Sequence, residues 1–367
     1  MEVTVLKEHL EKAVTELARI APAKSSLPIL ANVLLATEKG WLTVTASDLE
    51  VTVKAYVGAQ IEAEGAAVVP AATLSKMLRA IKADEAMTLT LDGKRLRLAM
   101  DGRTLALDGL DPEDFPPIPA ATAETKATGK VYGEDLKDRL ARTIICAATH
   151  DARPVLHTVN MAADGKMLTL AASDGYQLAR FTLPYEGEPF ELNLPLGAAA
   201  VLGRLLPDGE VEVSVSDKAV RFEGGYWEVT VAPVQGQFPL IERLIPDGYD
   251  CKATVDRDSL LEEVKTASVM ARDGSGLIRL YATDGGLRVT ARSEEVGNYE
   301  ATLPTVLEDS GRMALNCGLL AGVLAAMDKG VVTLDWKDGH NPMRLMQTDD
   351  GLYLIMPMVV KWETSER

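Results

Sequence analysis

Residues 42–57 read LTVTASDLEVTVKAYV, residues 168–183 read LTLAASDGYQLARFTL, and residues 287–303 read LRVTARSEEVGNYEATL. Each stretch alternates apolar and polar side chains about a short polar reversal, the pattern of two half-buried strands. Ser47, Ser173 and Ser293 hold nearly the same place in each, 126 and then 120 residues apart. A second set follows that period: Pro70, Pro195 and Asn316 each open a helical pattern after a short apolar strand. A third set closes the units, with Phe115-Pro116, Phe238-Pro239 and Met356-Pro357-Met358. Three markers in one order at near-constant spacing define three copies of a unit of about 120 residues.

Each copy begins with a short strand and a helix. Leu10, Ala13, Val14 and Leu17 fall at helical spacing, as do Leu136, Leu140, Thr143 and Ile144, and more loosely Leu260, Leu261, Val264 and Ser268. Three alternating strands follow, such as 32–36, 42–46 and 50–56, then a second helix with proline in its first turn in two copies. Three more strands complete the unit, joined by Asp92-Gly93 and Asp101-Gly102 turns. This order predicts an α+β unit of antiparallel strands with two helices on one face. The domains are expected at 1–120, 121–246 and 247–367.

The composition, 47% hydrophobic and 25% charged, is that of a folded protein. The net charge of −16 disfavours a simple basic-patch nucleic-acid binder. The longest near-apolar run, 318–327, is too short to span a bilayer, and the charged N-terminus is no secretory signal. Three dispersed cysteines, Cys146, Cys251 and Cys317, suit free thiols in a reducing cytoplasm rather than disulfides or zinc.

No phosphate-binding loop, HExxH or GxSxG is present, and His9, His150, His157 and His340 share no metal-ligand spacing. Neither an enzyme, a metal site nor a cofactor is expected. Asp48 and Asp174 occupy matching Ser-Asp turns, which read as Asx turns, the rival being paired metal ligands of a nuclease. The predicted helices carry basic residues despite the acidic total, among them Lys76, Arg79, Lys82, Lys137, Arg139, Arg142, Arg204 and Arg272. Solubilising charge near helix C-termini accounts for some; a stripe offered to phosphates accounts for the rest.

The motifs LPIL at 27–30, NVLL at 32–35, SDLE at 47–50, SDGYQLA at 173–179, QFP at 237–239 and YLIMPM at 353–358 together resemble the bacterial DNA polymerase III beta subunit family, the DNA sliding clamps. The likeness runs the length of the chain, in order. It implies a head-to-tail homodimer of three-domain chains, a ring with sheets outside and helices lining the channel. Such a ring encircles duplex DNA without reading sequence, is placed by a clamp loader, and tethers polymerases and repair proteins. A clamp-like scaffold that recruits proteins without encircling DNA is the alternative.

The family's pocket for short partner peptides would comprise Leu156, Ser173, Gly175, Tyr176, Gln177, Leu178, Pro239, Arg243, Leu244, Leu354, Ile355, Met356, Pro357 and Met358. Relatives often carry a basic residue where Gln177 stands, which implies a difference in peptide preference. The resemblance places DNA contacts at Lys24, Arg79, Lys137, Arg142, His150, Arg153 and Arg204, and the dimer contact at Leu105 and Leu107 against Val269 and Met270 of a second copy. Residues 361–367 run past the point where relatives usually end. They are expected to fray, with a fold-back of Trp362 over the pocket rim as the sharper alternative.

Overall fold

The computed structural model describes residues 1–22, 27–82, 85–100, 102–117, 125–150, 153–271, 276–293 and 297–362. Lys24, Asp101, Arg272 and residues 363–367 lie outside them. The described residues form six α-helices, two per sequence copy: α1 (Lys7–Leu17), α2 (Ala71–Ala80), α3 (Gly133–Ile144), α4 (Leu196–Leu205), α5 (Arg257–Ala271) and α6 (Cys317–Ala326). The chain divides into two compact units. The first comprises Met1–Glu134, Glu186–Glu188 and Arg204–Pro233, and the second is the remainder.

Thirteen strands of the first unit's described residues form one antiparallel sheet, with Arg103–Asp108 at one edge and Glu186–Gly187 at the other. Strand Arg95–Met100 shows why it forms: RLRLAM exposes and buries successive residues, so one face meets the core. Gly93, at φ +61°, makes the turn into that strand, a backbone region that costs glycine little. The helices bury the stripe their spacing predicts, Leu10, Ala13, Val14 and Leu17 on α1 and Leu74 and Leu78 on α2. The two meet where the Thr15 and Ser75 hydroxyls lie 3.3 Å apart. Within this sheet Val51–Ala63 of the first sequence copy pairs with Trp227–Val231 of the second, Val53 facing Val229.

The second unit repeats that closure. Gln177–Pro184 of copy two pairs with Gly351–Ile355 of copy three, Ala179 facing Tyr353, within a nine-stranded sheet. A four-stranded sheet runs Gly297–Leu303, Gly286–Ser293, Leu277–Thr283, Gly311–Asn316. α5 and α6 pack over the core through Leu260, Val264, Leu320 and Leu324, among Val289, Leu334 and Trp336.

Two sequence expectations need correction. Pro70 and Pro195 each end a strand and stand just before α2 and α4, not in the first turn. Pro70 keeps an extended ψ of 113°, so its ring closes the strand and leaves the helix to start at Ala71. Asn316 caps α6, its side-chain oxygen accepting from the amides of Gly318 and Leu319. The third closing marker is also out of phase. Ile355 pairs with Gln177 as Val231 pairs with Val51, so Met356-Pro357 corresponds to Ala232-Pro233 and not to Phe238-Pro239.

Candidate functional site

The second unit carries a cleft of about 410 Å³. One wall is the reversal from Ser173 to Gln177. Ser173 Oγ donates to the Gln177 carbonyl (2.7 Å) and accepts from the Gly175 amide (3.1 Å). Asp174 Oδ1 accepts from the amides of Tyr176 (2.8 Å) and Gln177 (2.9 Å), an Asx turn. Gly175 completes the reversal at φ +94°. The tyrosine that follows is thrust outward, with Tyr176 68% exposed. Asp48 closes the same turn in copy one, accepting from Glu50 and Val51. Both aspartates are therefore engaged by backbone amides as the Asx reading expects.

The floor is apolar. Leu178 and Leu354 are buried over Leu156, Phe238, Ile241 and Leu352. The 3-10 helix Ile241–Leu244 sets Arg243 and Leu244 on the rim, and Met356 closes the far side, 48% and 42% exposed for the two apolar residues. The Met356 amide donates to the Tyr176 carbonyl at 2.8 Å, tying that wall to the reversal. Half-exposed leucine, methionine and tyrosine around a buried leucine floor make a surface that accepts apolar side chains of several shapes. Gln177 donates from its side chain to the Ile145 carbonyl and to Asp174, both at 3.1 Å, so its amide braces the reversal.

Nine of the fourteen pocket residues expected from sequence line this cleft: Ser173, Gly175, Tyr176, Gln177, Leu178, Arg243, Leu244, Leu354 and Met356. Leu156 lies beneath them. Ile355 does not belong: strand alternation turns it from Leu354 and Met356 into the core of copy three, fully enclosed. Pro239 is exposed but off the lining, and Pro357 is off it too. Met358 lines a neighbouring cleft instead, because its amide donates to the Ala314 carbonyl and draws the chain onto strand Gly311–Asn316. Sequence reasoning missed His340, Asn341 and Pro342, which form the remaining wall. The turn-forming run DGHNP marks their loop, but nothing local places it beside residue 176. The Asp338 carboxylate accepts from the His340 and Asn341 amides and is held below the usual carboxylate range by them.

Trp362, the last described residue, is neither loose nor over this cleft. Its ring lies 5.7 Å from that of Tyr281, on the four-stranded sheet.

The expected DNA-contact residues fall into two sets. Arg79 is exposed on α2, next to exposed Lys76, and His150 and Arg153 are exposed in the loop after α3. The Arg153 guanidinium reaches within 3.5 Å of where a side chain at Gly175 would begin. Arg142 is bound up: it donates to Asp138 (2.8 Å) and Asp328 (2.7 Å), and those carboxylates hold its guanidinium pKa above the ordinary value. Arg139 pairs with Asp138 and Asp350. Arg204 pairs with Glu16 at 2.8 Å, which Arg19 also engages. Lys137 lies on α3 with an interaction of its own. The six helices carry ten basic and nine acidic residues, a net +1 within a chain of −16. The acidity therefore resides in strands and loops.

Of the expected dimer residues, Leu105 and Leu107 sit on edge strand Arg103–Asp108, with Leu107 buried and Leu105 half-buried. On α5, Val269 is 55% exposed, whereas Met270 packs against its own core. Among the described residues no cluster of three or more histidine, cysteine or acidic side chains could hold a metal, and no helix is long and apolar enough to cross a membrane. Burial pushes the Cys146 thiol pKa far up, so it stays protonated.

Sequence profiles of the DNA polymerase III beta subunit match nearly the whole chain: the N-terminal domain at 1–119, the central domain at 130–240 and the C-terminal domain at 242–359. The beta sliding clamp of Pseudomonas putida is 27% identical, over 98% of this chain and 100% of the relative. That of Streptomyces coelicolor is also 27% identical, over 98% and 99%. Among solved structures, the Pseudomonas aeruginosa DNA polymerase III subunit beta superposes with a TM-score of 0.90 at 25% identity, covering 98% of this chain and 100% of that one. The Bacillus subtilis DNA polymerase sliding clamp gives 0.92 at 17% identity, with the same coverage.

Proposed function

The chain belongs to the DNA polymerase III beta subunit family and serves as a DNA sliding clamp, not an enzyme; from that premise we propose that two copies close head to tail into a ring around duplex DNA. The observation that carries this reading is a strand pairing used twice and left open once. Val51–Ala63 pairs with Trp227–Val231, and Gln177–Pro184 pairs with Gly351–Ile355. By the same repeat, Gly297–Leu303 corresponds to the first member of each pair and Arg103–Asp108 to the second. Both are sheet edges within the chain. Bare edges invite pairing, and joining them between copies closes a cyclic assembly.

The repeat also supplies the register. Val51 faces Val231, and Gln177 faces Ile355, so Leu107 of one copy would face Gly297 of the other, and Leu105 would face Tyr299. Val269 on α5 would join that contact. Each copy would bring three clamp domains, divided at 1–120, 121–246 and 247–367, and the ring would turn its near-neutral helices toward DNA. That face repels phosphates least in a chain of −16. Arg79, Lys137, His150, Arg153 and Lys24 would meet phosphates without base readout; Arg142 and Arg204 would first have to exchange their carboxylate partners. The cleft around Leu178, Leu354 and Met356 would take short peptides of the clamp loader, polymerases and repair proteins in the cytoplasm. Tethering by a closed ring raises a polymerase's effective concentration at the primer end without a strong contact to DNA.

Sedimentation should give a dimer mass, and loaded protein should stay on nicked circular DNA yet leave the same DNA once linearised. A monomer at every concentration refutes the ring. Equal retention on both forms of DNA favours a scaffold that does not encircle it.

A further inference from the structure

Past strand Gly351–Ile355 the chain is pegged at three successive points. The Met356 amide donates to Tyr176, the Met358 amide donates to Ala314 at 2.8 Å, and Trp362 lands on the four-stranded sheet. The landing place is built from three strands. Tyr281 pairs in register with Arg288 on one side and Arg312 on the other, so the three side chains form one row on one face. The Arg288 guanidinium lies 4.6 Å from the centre of the Tyr281 ring, and that of Arg312 lies 4.6 Å from the centre of the Trp362 ring. Arg279, two residues along, reaches the same indole at 5.8 Å, and Tyr281 meets it edge-on at 78°. Two guanidinium groups and one phenol thus converge on a single aromatic ring.

The pegged segment is also a shared wall. Met356 lines the peptide cleft; Met358, Val359, Val360 and Trp362 line a second cleft of about 380 Å³ beside it. His340 lines both. Where Trp362 docks therefore bears on the position of Met356 and on the loop carrying His340.

We propose that the Arg288–Tyr281–Arg312 row is a binding site for an aromatic side chain, filled in cis by Trp362, and that this docking makes Trp362 a positioning residue for the peptide cleft. The indole anchors the segment from beyond the cleft and holds Met356 against Leu354 as a fixed wall. This rests on the peptide-binding reading of the cleft. It is the opposite of occlusion: releasing the tail weakens peptide binding.

The test uses the full-length chain, Trp362→Ala, Trp362→Phe and a chain ending at Val360, each titrated into a fluorescent peptide bearing leucine and phenylalanine anchors. Loss of an exposed cation–π contact should weaken binding about fivefold in the alanine and truncated forms, and phenylalanine should restore most of it. Unchanged or tighter binding by Trp362→Ala overturns the proposal, as does a phenylalanine variant no better than alanine. Hydrogen exchange at the Met356 and Met358 amides provides a second readout independent of any peptide. Faster exchange in Trp362→Ala supports anchoring, and identical exchange refutes it. If the unmutated chain binds no peptide, the reading of the cleft fails, and the exchange experiment alone decides the anchoring.

Discussion

Val269→Asp tests the ring at its most separable point. Val269 is 55% exposed in the single chain, so an aspartate there should leave the fold of one copy intact. Met270 is a poorer choice, because it packs against its own core and its loss would confuse folding with assembly. Burying the exposed half of a valine contributes about 1 kcal/mol, from roughly 1.5–3 for the whole side chain. Burying an unpartnered polar group costs about 1–3 kcal/mol by mutational measures, more if it stays charged. Each contact thus loses about 2–4 kcal/mol, and a closed pair contains two such contacts. The dimer should weaken by about 4–8 kcal/mol, about a thousandfold or more in its dissociation constant. Val269→Ala, which only removes apolar area, should cost far less. Sedimentation equilibrium across a concentration series measures both, and thermal melting at low concentration checks each copy. A Val269→Asp dimer as tight as the unmutated one refutes the placement of α5 at the contact.

Arg79→Ala should lower the slope of log affinity for duplex DNA against log salt by about 1, whereas Arg142→Ala should lower the melting temperature and change the slope far less, since Asp138 and Asp328 compete with phosphate for its guanidinium; equal slopes for Arg79→Ala and the unmutated clamp would remove Arg79 from the DNA face. The Asp338 carboxylate is held low by the amides of its turn, so its support of the His340 loop is present above the ordinary carboxylate range and is lost as pH falls through its depressed value. Peptide affinity should hold from neutral down to about pH 4 and fall below it, and Asp338→Asn should abolish that acid dependence; a fall complete by about pH 6 contradicts this assignment. Gly351→Ala should destabilise the second unit by about 1–3 kcal/mol, because a Cβ there would stand 1.9 Å from the Phe181 ring; an unchanged denaturation midpoint would refute that.

The fold was legible because its evidence is local and repeated. Period-two strands, 3.6-period helices and the Ser47/Ser173 turns recur at the spacing of the unit, and the predicted helical stripes are the buried ones. Alternation along Leu354, Ile355 and Met356 is equally local, and it turns Ile355 away from the cleft. Other features depend on distant partners. Asp328 reaches Arg142 from 186 residues away and engages in an ion pair the guanidinium that the sequence alone leaves open to phosphate. The loop of His340 to Pro342 joins the cleft only through strand order. Trp362 finds its site through Arg279 and Tyr281 on one strand and Arg312 on the next, all distant from it in sequence.

The repeat also explains why one junction, not the other, carries the cleft around Leu178 and Leu354. Tyr56 donates its amide to the Tyr226 carbonyl, as Thr182 does to Asp350, so the two junctions align residue for residue. By the same offset Ala13 stands where Arg139 stands. In the second unit Arg139 pairs with Asp350 across the corresponding place. In the first unit Ala13 and Tyr226 line an open groove with Trp41 and Tyr56. At the turns the contrast runs the other way. Leu49 occupies the left-handed position at φ +80° where copy two has Gly175 at φ +94°. Arg153 lies beside that glycine, and the residue after it is an exposed tyrosine with its carbonyl bonded to the Met356 amide. The strand closure is common to both junctions because it is backbone pairing, indifferent to side chains. The cleft is particular to the second because it is built by the exposed Tyr176, the 3-10 helix at Ile241–Leu244, the His340 loop and the segment that follows Ile355, and these are side-chain and loop features in which the copies have diverged.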